Sequence, residues 1–160
     1  MLRGDKIFLR AIEAQDATKI LLWENNPEHW RVSGTESPFS LEDIINFINS
    51  EQGFRQSGQL RLIICKKSTD QAIGALDLFE ANFKHGRAGV GILIGEESEK
   101  NKGYATESLN LLVHYAKTTL KFHNLTANVL ADNTASIRLF EAAGYELIGI
   151  RKDWFFDQGK

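Results

Sequence analysis

Apolar residues first mark a strand and then fall into the 3.6-residue period of a helix. Ile7, Leu9 and Ile12 stand among charged neighbours and predict an opening strand; Asp16 then reads as the cap of a helix carrying Ile20, Leu21 and Trp23. Asn25-Asn26-Pro27-Glu28 closes that helix. Ser40, with Asp43 three residues on as a capping-box variant, opens another, whose buried stripe is Ile44, Ile45, Phe47 and Ile48. The stretch from Glu28 to Phe39 between them reads as a loop. Leu60 to Lys66, Ala72 to Phe79 and Ala88 to Ile94 then predict a three-strand meander, turned at Lys67-Ser-Thr-Asp70 and at Gly86. A helix with Leu109, Leu112, Val113 and Ala116 on one face follows the loop Gly95 to Ala105. Leu125 to Leu130 is a further strand, Asn133 to Ala143 a helix closed by Gly144, and Tyr145 to Phe156 a last extended stretch. The order β-α-α-β-β-β-α-β-α-β predicts an α/β domain with a sheet layered between helices.

Composition narrows the partners more than the fold. The 160 residues, 42% hydrophobic and 25% charged, suit one domain over the whole chain, 1–160. A net charge of −2 supplies no basic field for a nucleic-acid backbone, so nucleic acid is not an expected partner. Cys65, the only cysteine, sits in the apolar run Arg61-Leu-Ile-Ile-Cys65, which reads as a core thiol in a reducing cytoplasm. No window approaches 18 apolar residues, and neither export nor membrane spanning is expected.

Chemistry concentrates where the third meander strand gives way to a helix. In Lys100-Asn-Lys-Gly-Tyr-Ala105, Gly103 lets backbone approach closely, and the first helical N–H groups are left unpaired. Such a nest binds anions, with Lys100 and Lys102 adding mobile charge, and a diphosphate suits it. On these six residues alone an ordinary glycine turn before a helix is an equal reading. One strand later comes Asn133-Thr-Ala-Ser-Ile-Arg-Leu-Phe-Glu-Ala-Ala-Gly-Tyr145. The two segments, in this order and spacing, resemble the GNAT N-acetyltransferases. The likeness runs from Leu9-Arg-Ala-Ile-Glu13 through Trp23-Glu-Asn-Asn26 to Trp154-Phe-Phe156, and its details are similar to the branch of ribosomal-protein alanine acetyltransferases and spermidine acetyltransferases.

The resemblance implies a mixed, mainly antiparallel central sheet with a V-shaped splay, flanked by helices on both faces. It implies acetyl-CoA as cosubstrate, no metal, and transfer to a primary amine by direct attack in a ternary complex. The strand ending at Ile92, Leu93 and Ile94 would pair its backbone with the pantetheine arm. Amides of Lys100, Asn101, Lys102, Gly103, Tyr104 and Ala105 would hold the pyrophosphate. Asn133 would bond the arm, a role compatible with plain helix capping, and Ser136 would lie near the nucleotide end. Lys100 stands where the family has Gln or Arg, keeping charge without the planar fork.

A protonated amine cannot attack a thioester, so the reaction needs a base. By the resemblance Glu80 is the first candidate, with a solvated strand-end carboxylate as the equal alternative reading; Asp77 is the second, on the opposite face if the strand carries no bulge, and His85 and His114 rank behind them. Phe140 lies where many members carry a Tyr that protonates the leaving thiolate, so no general acid is assigned. Glu36, Glu42, Asp153 and Asp157 would border a cationic acceptor, a polyamine-like small amine or a protein N-terminus, or else serve as solubilising surface charge. By the resemblance one more strand would follow Asp153 to Gly159, where the sequence reaches Lys160; either that strand is missing or another chain supplies it, and an unpaired edge near Tyr145 to Phe156 would favour a homo-oligomer. Phe140 and that missing strand leave open a CoA-binding protein with little catalysis, and the nest alone leaves open another nucleotide-phosphate binder.

Overall fold

A computed structural model describes residues 1–50 and 53–156. Its strands are β1 (Leu2–Arg3), β2 (Ile7–Ala11), β3 (Leu60–Lys66), β4 (Ala72–Asn82), β5 (Arg87–Ile94) and β6 (Asn124–Thr126). They form one sheet in chain order, antiparallel from β1 to β5, with β6 parallel to β5. The helices are α1 (Ala17–Glu24), α2 (Pro27–Ser33), α3 (Leu41–Ile48), the short α4 (Phe54–Ser57), α5 (Tyr104–Tyr115), which runs on into a π turn at Ala116–Leu120, and α6 (Thr134–Ala142).

Strand alternation sorts the apolar residues into two cores. Phe8, Ile63, Cys65, Ala72 and Ala75 face Ala17, Ile20 and Trp23 of α1 and Ile44 of α3. Ile7, Leu9, Ile64, Ile73, Leu76 and Leu78 face Leu109 and Leu112 of α5 and Phe140 of α6. Helices therefore cover both faces, and each fully buried Ile or Leu contributes about 1.5–3 kcal/mol. A register shift at Ile64/Cys65 against β4 changes which β4 residues face each core: Ala72 and Ala75, three apart, share a face, as do Ile73 and Leu76.

Several elements depart from the sequence expectation. Ser40 caps α3 as predicted, its Oγ accepting from Asp43 N at 3.0 Å while Asp43 Oδ2 accepts from Ser40 N at 2.8 Å. Asp16 does not cap α1 with its side chain; Arg10 claims both carboxylate oxygens at 2.7 and 2.8 Å, and Glu13 N donates to Oδ2. Asn25 to Glu28 ends one helix but also starts another, because Asn26 Oδ1 accepts from Glu28 N and Pro27 fills the first helical position of α2. The loop expected from Glu28 to Phe39 is thus helical in its first half. The strand expected at Leu125 to Leu130 pairs only over Asn124–Thr126, and Tyr145 to Phe156 forms no strand. Leu147, Ile148 and Ile150 stand exposed there, Ile148 at 93%, since no neighbouring ladder takes up their backbone.

Candidate active site

The sheet opens between β5 and β6. Their parallel pairing covers only Arg87 with Asn124, Ala88 with Leu125 and Gly89 with Thr126, while β5 continues to Ile94, paired on its other side with β4 from Phe79 to Gly74. Beyond Gly89, the edge of β5 that carries Ile92, Leu93 and Ile94 has no strand partner among the described residues. This is the V-shaped splay, and it leaves strand backbone available to an extended ligand.

Past the open end lies the turn into α5. Glu97–Glu99 makes a 3-10 turn, Asn101 takes φ +61° and Gly103 φ +83°, and Tyr104 starts α5. The amides of Asn101, Lys102, Gly103, Tyr104, Ala105 and Thr106 find no acceptor among the described residues, whereas Glu107 N returns to Gly103 O at 3.1 Å. Gly103 suits its position because the left-handed conformation costs an L residue roughly 1–2 kcal/mol. The lysines differ from expectation in that neither is a free charge. Lys100 Nζ pairs with Glu97 at 2.7 Å, and Lys102 Nζ with Glu99 at 3.2 Å. Glu99, nearly buried, also receives Lys66 Nζ at 2.9 Å. That hydrogen bond, more than the one from Lys102, holds its carboxyl below the usual range.

The closed end of the splay carries Glu80. A register shift between Phe79 and Asn82 makes a bulge in β4, and Glu80 sits in it with φ +49°, an unusual conformation for a non-glycine residue. Its exposed side chain lines a cavity of about 90 Å³ with Arg87, Ala88, Gly89 and Thr126, where β5–β6 pairing ends. Arg87 and Thr126 were not singled out from sequence, because nothing local marks a residue whose neighbour is on another strand. Asp77 is committed elsewhere: Arg61 Nε and Nη2 hold it at 2.7 and 2.9 Å, and Arg61 Nη1 reaches Glu24 at 2.9 Å. Burial lowers the Arg61 guanidinium pKa, but the two carboxylates more than reverse this and hold it above its ordinary value. His85, in the β4–β5 turn, and His114, late in α5, are both exposed.

Asn133 Oδ1 accepts from Ser136 N at 3.2 Å, so it caps α6, with its amide nitrogen uncommitted among the described residues. Phe140 is 8% exposed, in the same cluster as Ala88 and Val90 of β5, its ring edge-on to Tyr145 at 5.0 Å. The Tyr145 hydroxyl is buried with no hydrogen-bond partner among the described residues, and burial pushes its pKa up to about 12. Across the open side, Arg31 of α2 pairs with Asp132 at 2.8 Å, tying α2 to the turn that begins α6. Glu36, Glu42 and Asp153 are exposed; Asp157 lies outside the described residues. Among the described residues, no group of three or more His, Cys, Asp or Glu is placed to hold a metal ion, and no helix is long and apolar enough to cross a membrane.

The same architecture recurs in known proteins. A family model described as an acetyltransferase (GNAT) domain matches residues 6–146. An uncharacterized N-acetyltransferase of Bacillus subtilis, YoaA, is 31% identical over 99% of this chain and 90% of its own. Spermidine N(1)-acetyltransferase of Vibrio cholerae is 27% identical over 98% of this chain and 88% of its own. The crystal structure of spermidine N-acetyltransferase from Vibrio cholerae in complex with CoA and spermine superposes with a TM-score of 0.78, covering 87% of this chain and 80% of that one at 24% identity. The chain therefore belongs to the GNAT acetyltransferase family, enzymes that pass the acetyl group of acetyl-CoA to an amine.

Proposed function

We propose that the chain, as a single domain, acetylates a cationic primary amine, a polyamine-like small amine rather than a protein N-terminus, by direct attack in a ternary complex. One observation carries the cofactor side of this reading: a strand edge left open beyond Gly89 leads to six amides without acceptors at the start of α5. In this reading the backbone of Ile92, Leu93 and Ile94 pairs with the pantetheine arm, and the amides from Asn101 to Ala105 take the pyrophosphate, while Lys100, expected to share in this, has its amide bonded to Glu97 O at 3.3 Å. The free amide of Asn133 bonds the arm, Ser136 meets the nucleotide end, and Phe140 packs near the thioester.

Glu80 takes the ammonium proton, directly or through water. The amine nitrogen then bonds the acetyl carbon as the C–S bond breaks, and the departing thiolate takes a proton from solvent, at modest cost for a thiol of pKa ~8.5. Asp77 is left out of that role by its bond to Arg61. The polyamine-like acceptor is supported by the spermidine-acetylating relative and by Glu36, Glu42 and Asp153 on the exposed side. Association of copies through the exposed Leu147 to Ile150 stretch, and a reducing cytoplasmic setting for the buried Cys65 thiol, belong to the same reading.

Thiol release from acetyl-CoA is the test, run against polyamines, amino acids, aminoglycosides and short peptides. Turnover with polyamines is expected, and Glu80→Gln should lower it by roughly 10²–10⁴-fold with CoA affinity unchanged. Full activity of Glu80→Gln would remove the base assignment. Phe140 favours a second reading, a CoA-binding protein with little catalysis; CoA binding without thiol release for any amine would select it.

A further inference from the structure

If a diphosphate lies on the amides before α5, its counter-charge needs a source, and the two lysines within the loop are each engaged by a carboxylate of that loop. A third lysine comes from elsewhere in the chain. Lys6, in the turn between β1 and β2, makes no ion pair among the described residues, and its Nζ lies 4.0 Å from where a Cβ on Gly103 would project. Its backbone is pinned to the same helix, since Glu107 Oε1, in the first turn of α5, accepts from Lys6 N at 2.9 Å and from Ile7 N at 3.3 Å. The side chain opens onto a cleft of about 440 Å³ that it lines with Asp5, Lys67, Ser68 and Tyr104, the last being the first residue of α5. Lys67 Nζ is occupied by Gly4 O at 2.9 Å, and Asp5 is the one carboxylate lining the cleft among the described residues.

We propose that Lys6 is the cation of the cofactor's phosphate site, neutralising the diphosphate on the Gly103 amides in place of Lys100 and Lys102. This rests on the acetyl-CoA reading and adds a residue 94 positions or more from the motif that carries it. The ammonium, on a flexible stem, adjusts to the phosphates while the amides stay fixed, so the site gains charge without a planar fork. Because Lys6 meets only the phosphate end, its loss should spare any donor that has no phosphates.

Calorimetry with CoA, competition by inorganic pyrophosphate, and kinetics with acetyl-CoA against S-acetylpantetheine test this on Lys6→Ala and Lys6→Arg, with melting temperature as the folding control. Lys6→Ala should weaken CoA and pyrophosphate about tenfold, as expected for one charge-assisted contact at a partly exposed site, and Lys6→Arg should restore most of it. Kinetics with S-acetylpantetheine should not change. Unaltered CoA affinity in folded Lys6→Ala overturns the assignment, and so does an equal loss with both donors. Failure of the unaltered protein to bind CoA would instead overturn the acetyl-CoA reading, and the role of Lys6 with it.

Discussion

Removing the Arg61 guanidinium should destabilise the fold more than any exposed ion pair would, and the deficit should shrink in acid. Arg61, Asp77 and Glu24 have side chains only 17%, 24% and 19% exposed, and three charge-assisted hydrogen bonds of 2.7 to 2.9 Å join them. The Arg61 guanidinium also lies over the Phe47 ring, its Cζ 5.4 Å from the ring centroid. Arg61→Met keeps an apolar stem of similar reach but gives up the guanidinium contact with Phe47 and leaves two carboxylates in one half-buried site. Breaking such a pair from one side costs about 3–5 kcal/mol, a large share of the ~5–15 kcal/mol that holds a typical domain together. Arg61→Lys keeps the charge, loses the fork, and should cost about 1–2 kcal/mol. Urea unfolding at neutral pH measures both. In Arg61→Met the folded state crowds two negative charges that the unfolded chain separates, so folding favours proton uptake and relative stability rises as pH falls. Adding Asp77→Asn to Arg61→Met should recover about 1–2 kcal/mol, because it removes the repulsion. A loss under about 1 kcal/mol, or a deficit that stays constant on acidification, would refute the idea that Arg61 neutralises this pair and so withholds Asp77 from catalysis.

Gly103→Asp should fold at a cost of about 1 kcal/mol, since Asp tolerates the left-handed region, yet lose CoA affinity by at least ~100-fold through like-charge repulsion; unchanged calorimetric affinity would remove the diphosphate from this turn. Phe140→Tyr is expected to raise turnover if thiolate protonation limits the rate, because it places a donor of pKa ~10 near the sulfur, and a large loss with CoA binding intact would show that α6 does not present this ring to the thioester. Glu99→Gln should lower the melting temperature at neutral pH, and the difference should vanish in strong acid. Because the Glu99 carboxyl is held below its ordinary 4.5, its contribution is present above that value and lost as pH falls through the depressed one. A difference that persists in acid would mean that Glu99 acts by packing rather than charge.

Features legible in the sequence are those whose cause is local. Ser40 and Asp43 lie three residues apart and cap α3 on that spacing alone, and the alternation of Ile7, Phe8 and Leu9 gives the two faces of β2. Asn26-Pro27 was legible as a helix stop but not as a start, because the same pair ends one helix and caps the next. The pairing of Lys100 with Glu97 and of Lys102 with Glu99 follows an i,i+3 spacing that the sequence does display. Glu80 was placed by resemblance, while its bulge and left-handed backbone have no sequence sign, since glutamate is not a residue that seeks positive φ. Lys66 on Glu99, Lys6 beside Gly103 and Thr126 across from Glu80 bring together residues 33 or more positions apart, distances over which periodicity carries no information. Tyr145 to Phe156 has strand-forming residues and no strand, because a strand is a property of a pair and not of a segment.

The division between backbone and side chain has a consequence for how this site can vary. The diphosphate reading uses amides, whose direction is set by Asn101 and Gly103 in the left-handed region and by the start of α5, so Lys can replace the family's Gln or Arg at position 100 without dismantling the nest. The thioester reading uses a ring in a packed cluster, where Phe for Tyr preserves shape and removes only a proton donor that solvent can replace for a thiol leaving group. Deprotonating an amine of pKa ~10.4 at neutral pH has no comparably cheap substitute, which in the proposed reaction places the burden of chemistry on Glu80 and its bulge. In the proposed reaction selectivity among amines then falls to α2 and the chain after it, held to the start of α6 through Arg31 and Asp132. Substitutions there should change which amine is acetylated while leaving CoA affinity near its original value.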